Sequence, residues 1–134
     1  MKTILLKKLS ALCLVIVLAF TTSCKKEPIP AINQDLTGTW SHVQQVGSFR
    51  NILTQLDLNA DGSGKETITN ITTSSSTITS ERFFTWETQN NTDLILQESG
   101  QSEEKFTFTL DEAQRELTLT DSITGFSRLY FKNE

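Results

Sequence analysis

The sequence predicts an all-β domain, an eight-stranded antiparallel up-and-down β-barrel, preceded by an export signal and a tether. Three observations carry this reading. From Gly38 onward, short segments alternate apolar and polar residues with the period of two that a strand requires. The breaks between them are turn residues, such as Asp61-Gly62 and Gln89-Asn90-Asn91-Thr92-Asp93, and no segment has the length or period of a crossover helix. Each segment also sets one apolar row against a threonine-rich row, so one sheet face is dry, and closing such a sheet on itself removes its edges. Two packed sheets are the rival arrangement. A membrane-spanning barrel would invert the faces and needs about 9–11 residues per strand.

In order, the first strand runs from Gly38 to Val46, with Trp40, His42 and Gln44 on one row. Ile52, Leu56 and Leu58 share a face of the second, which Asp61-Gly62 closes as a tight hairpin. The β-branched run Lys65 to Thr72 is the third, and Thr73-Ser74-Ser75-Ser76 breaks it. Ile78 to Glu87 carries Phe84 and Trp86 on one face, and Leu94-Ile95-Leu96 is the fifth strand. Phe106 to Leu110 and Leu117 to Thr120 alternate strictly around the charged corner 111–115. Phe126, Arg128 and Tyr130 form one row of the last strand.

The chain has 134 residues, enough for one small domain after export. Three of its twelve basic residues, Lys2, Lys7 and Lys8, precede residue 24, and all sixteen acids follow it, so the mature part has nine basic side chains against sixteen acidic ones. Such a surface repels phosphate backbones and excludes nucleic acid as a partner. Cys13 and Cys24 are the two cysteines, and a lone cysteine after the leader forms no internal disulfide. A monomer is expected.

Met1 to Lys8 is basic and Leu9 to Phe20 is apolar except for Ser10, the layout of a secretory signal. The apolar run is short of the roughly 20 residues that span a bilayer. Thr21-Thr22-Ser23 then leads into Cys24. This junction resembles the lipobox of bacterial lipoproteins, with Thr21 standing where that family usually has Leu. The resemblance implies cleavage after Ser23, acylation of Cys24 by chains such as palmitate, and a membrane partner reached through that lipid. Each buried methylene adds about 0.8 kcal/mol, so several chains anchor effectively permanently. Residues 1–23 are thus read as signal peptide, 24–35 as lipidated cysteine and flexible tether, and 36–134 as the barrel. Lys25 after the cysteine is unlike the inner-membrane retention signal of enteric bacteria, which places the expectation at the outer membrane of a Gram-negative cell envelope.

Within the body, Leu36-Thr37-Gly38-Thr39-Trp40, the Asp61-Gly62-Ser63-Gly64 turn, Phe84-Thr85-Trp86 and Phe126-Ser127-Arg128 resemble small bacterial lipocalin-like lipoproteins of the lipocalin superfamily. The resemblance covers residues 36–134. It implies a lipocalin-like barrel in which Gly38 and Trp40 mark the closed end and Arg128 crosses the Trp40 ring. It also implies ligand binding in general, while short loops and the lack of a C-terminal helix leave little room for a wide calyx.

Candidate chemistry is sparse. His42 is the one histidine, so no imidazole pair can hold zinc and no catalytic relay has a choice of base. Asp57, Asn59 and Asp61 copy the first ligands of a calcium loop, but Ile68 occupies the place of its bidentate Glu, and a hairpin explains the same residues. No nucleophile elbow, P-loop or zinc-protease motif occurs. An enzyme, a metal site and a cofactor are therefore not expected. The aromatic set Trp40, Phe84, Trp86, Phe106, Phe108, Phe126 and Tyr130 can be core or ligand pocket, and core is the simpler explanation in a barrel this narrow. As ligand contacts the sequence offers His42, Phe84, Trp86, Phe106, Phe108 and Tyr130. The expected function is a membrane-anchored binding module for a small apolar molecule, or else an interaction lipoprotein with a filled core that contacts another surface protein.

Overall fold

A computed structural model describes residues 31–134. The signal peptide, Cys24 and the tether as far as Pro30 lie outside the described residues. The rest is one closed barrel in which every strand pairs antiparallel with its sequence neighbour and the last pairs with the first. The strands are β1 (Gly38–Gln45), β2 (Arg50–Leu58), β3 (Ser63–Thr72), β4 (Ser76–Gln89), β5 (Asp93–Gln97), β6 (Glu104–Asp111), β7 (Glu116–Asp121) and β8 (Ser127–Lys132). The expected eight-stranded meander is therefore the fold, and the two-sheet alternative is set aside by the β1–β8 pairing of Trp40 with Lys132 and Ser41 with Phe131.

The interior is filled at one end. Trp40, Leu58, Phe84, Trp86, Leu94, Phe108, Leu117 and Tyr130 pack there as one cluster, and Leu36 plugs its base with no exposed surface. Leu36 sits on a short 3₁₀ turn, Gln34–Leu36, capped by the Asn33 side chain. The tether was expected to be irregular up to Asp35, but its last residues dock. The Ala31 carbonyl accepts from the amide and hydroxyl of Thr88, and Ile32 packs on the core. The reason is that a barrel end is open to water unless something covers it, and Ile32 and Leu36 supply that apolar cover.

β4 begins at Ser76, two residues earlier than Ile78, because a bulge absorbs the mismatch. Register shifts between Ile68 and Thr69, leaving Thr79 as the extra residue, and its hydroxyl donates to the Ile68 carbonyl. The Asp61-Gly62 hairpin forms as expected, with Gly62 at φ 82° and Asp61 Oδ1 accepting from the amide and hydroxyl of Ser63. Those bonds hold the Asp61 carboxyl below its ordinary value.

Gly64 is needed for a different reason. It pairs with Phe84, whose ring lies across the bare backbone, and a Cβ on Gly64 would stand 2.2 Å from Phe84 Cε2. Phe84 is buried in the cluster and cannot swing aside freely. Gly64→Ala is expected to cost about 1–3 kcal/mol through overpacking, read as a lower urea midpoint with an unchanged slope. An unaltered midpoint would show that the ring relocates at no cost.

Candidate functional site

Following the inward row of each strand gives the chemistry of the open half. Pairing carries the row from Leu56 on β2 to Glu66 on β3 and Arg82 on β4, and from Leu96 on β5 to Glu104 on β6. It continues from Phe106 to Asp121 on β7, and from Leu119 to Arg128 on β8. These side chains, with Ile68, Thr124 and Phe126, line a cavity of about 600 Å³ inside the barrel. Ligand pockets typically measure about 300–1,000 Å³. A depression of about 720 Å³ near the closed end is bounded by Thr39, Asp57, Lys65 and Phe83, which point outward, so it is a surface trough.

Five ionisable groups face the inner cavity. Arg82 bridges two acids, with Nε donating to Glu66 Oε2 at 2.8 Å and Nη1 to Glu104 Oε1 at 2.7 Å. Burial alone would lower the Arg82 guanidinium; the bond to Glu104 and the charges of Glu66 and Glu104 outweigh it and raise it above its ordinary value. Arg128 differs, because no ion pair forms to it among the described residues. Its guanidinium lies 5.7 Å from the centre of the Phe126 ring. Asp121 Oδ1 is taken up by the amides of Ile123 and Thr124, bonds that with a smaller contribution from Arg128 hold its carboxyl below the ordinary value. Burial pushes the Tyr130 phenol up, and the nearby Arg128 opposes that rise.

The expected ligand contacts fare unevenly. Of His42, Phe84, Trp86, Phe106, Phe108 and Tyr130, Phe106 alone lines the cavity. Phe84, Trp86, Phe108 and Tyr130 are buried core in the filled half, and Trp86 Nε1 donates to the carbonyls of Asn59 and Ser63. His42 bonds through Nδ1 to the Leu129 carbonyl at 2.8 Å, and its ring lies against Tyr130, so it ties β1 to β8. Phe126, read as an inward core ring, is 61% exposed at the mouth.

The expected closure by Arg128 is also corrected. The cation over the Trp40 ring is Lys132, with Nζ 5.1 Å from the ring centre, while Gly38 starts β1 against the Lys132 side chain. Trp40 pairs directly with Lys132, and Arg128 is four residues further along β8, roughly 13 Å at strand rise. Arg128 thus faces inward as its row requires but at the opposite level. The residues missed from the sequence, Glu66, Arg82, Glu104 and Asp121, were legible in principle. Glu66 and Arg82 lie on the period-two row of a recognised strand, whereas Glu104 and Asp121 continue that row just beyond the strands read as Phe106 to Leu110 and Leu117 to Thr120, which the structure extends to them.

Fold and site together define an eight-stranded antiparallel barrel with one packed end and one hollow, charged end. Comparisons with protein-family models, with curated proteins and with solved structures returned no match.

Proposed function

We propose that this chain is a membrane-anchored, lipocalin-like binding module that holds a small, largely apolar molecule in the open half of its barrel. The observation that supports the reading is the cavity of about 600 Å³ walled in part by Leu56, Ile68, Leu96, Phe106 and Leu119, space left open above a packed core to which Leu56, Leu96 and Leu119 also belong. A domain that needed only stability would gain by filling that space, since each void forfeits contacts and burial. Native mass spectrometry of the protein taken from its own host tests it. A co-purified small molecule supports the reading. An empty barrel shifts the assignment to an interaction lipoprotein, which the densely packed closed half also suits.

Anchoring rests on the lipobox-like junction at Cys24. Cys24→Ala is expected to abolish acylation and move the protein from the membrane to the soluble fraction. A lipid-modified, membrane-bound variant would refute that assignment.

A further inference from the structure

Two features of the cavity wall remain unexplained by apolar binding alone. Arg128 on β8 is solvent-exposed at the mouth, where its five N–H donors meet no carboxylate among the described residues and are available to an entering group. The wall formed by β3, β4 and β6 has the reverse imbalance, since Arg82 is shared between Glu66 and Glu104 and leaves one negative charge uncompensated. In an eight-strand ring β8 stands across the lumen from β4, so the two imbalances face each other. Asp121 in the neighbouring strand offsets part of the Arg128 charge at a distance, but its Oδ1 is taken by two turn amides and no ion pair links the two side chains, so the N–H donors of Arg128 stay open to a ligand. Between the poles lie Leu56, Ile68, Leu96, Phe106 and Leu119.

We propose that the ligand is a dipolar molecule with an apolar body, its anionic group on Arg128 and its cationic group against the Glu66–Glu104 wall. This deepens the binding reading above and depends on it. A lone anion would satisfy Arg128 but add to the three carboxylates that already outnumber the two guanidiniums of the cavity. A lone cation would answer the acidic wall and leave the open donors of Arg128 unused. A molecule with both charges answers each wall through charge-assisted hydrogen bonds. Phe126, with the guanidinium above its ring, holds Arg128 at the mouth, where an entering anionic group meets it first.

Three probes of equal apolar body separate the poles: leucyl-leucine has both charges, its N-acetyl derivative only the carboxylate, and its amide only the ammonium. Isothermal titration calorimetry on the folded domain is expected to show leucyl-leucine binding about tenfold more tightly than either singly charged probe. Arg128→Gln should erase the advantage that the carboxylate confers and leave the amide unchanged. Glu104→Gln keeps an oxygen for Arg82 and should erase the advantage of the ammonium. Equal binding by all three probes, or preference for a singly charged one, overturns the dipolar proposal. So does failure of all three; a different molecule then found by native mass spectrometry would leave the binding reading standing, and an empty barrel would remove both.

Discussion

Trp40→Ala is expected to cost about 3–5 kcal/mol, the largest loss from any single truncation in the domain. The indole is 1% exposed at the centre of the packed end, and nothing nearby can collapse into the space it would leave. Its Nε1 donates to the Leu36 carbonyl at 2.8 Å, so removal also releases the turn that plugs the barrel. Lys132 loses the ring face on which its ammonium rests. Against a total stability of about 5–15 kcal/mol, the variant would be partly unfolded at growth temperature. Thermal denaturation should show a fall of about 15–25 °C for a domain of this size. Trp40→Phe keeps most of the apolar body and should recover more than half of the loss, the remainder being the unmet carbonyl of Leu36. A fall of under 5 °C for Trp40→Ala would mean that the closed end is not organised around this ring.

Arg82→Met is expected to be the next most damaging, at about 2–3 kcal/mol. The Glu66 side chain is 11% exposed and has the Arg82 Nε as its one bonded partner among the described residues, so truncation strands a carboxylate in the wall. Breaking a fully buried pair costs about 3–5 kcal/mol, and the solvent access of Glu104 and of Arg82 itself reduces that here. The diagnostic result is the cycle with Glu66→Gln. In urea titrations the double variant should be more stable than Arg82→Met alone, because the stranded charge is gone. Additive losses would show that Arg82 stabilises through packing of its stem and not by neutralising Glu66.

The alternation of each strand, the Asp61-Gly62 turn and the opening Gly38-Thr39-Trp40 made the barrel legible from the sequence, because period two and turn chemistry are local properties. The site was less legible for two physical reasons. Period two assigns a side chain to a face but not to a height along the axis, which is set by the stagger of the closing pair. Arg128 was therefore assigned to the right side of the wall and the wrong end. The second reason is that apolar character marks the interior only where it is dry. At the hollow end Glu66, Arg82 and Glu104 point inward, with Arg82 shared between the two acids, while Val43, Phe83 and Phe131 remain exposed on the outer face. No single-strand pattern announces such a network, since its members lie on β3, β4 and β6 and meet only after closure.

The seam between β1 and β8 has a consequence for how the barrel assembles. Seven of the eight pairings join consecutive strands through turns of a few residues, contacts that an unfolded chain finds quickly at little cost in loop entropy. The eighth brings residue 40 to residue 132, spans nearly the whole domain, and rests on two paired positions, the Asn133 amide on the Thr39 carbonyl and the His42 bond to Leu129. A curled sheet of hairpins should therefore form first and be sealed last. The same seam is then the first to part when the native state opens, so the side chains that bridge it, His42 and Lys132, govern the lifetime of the closed ring more than its speed of formation.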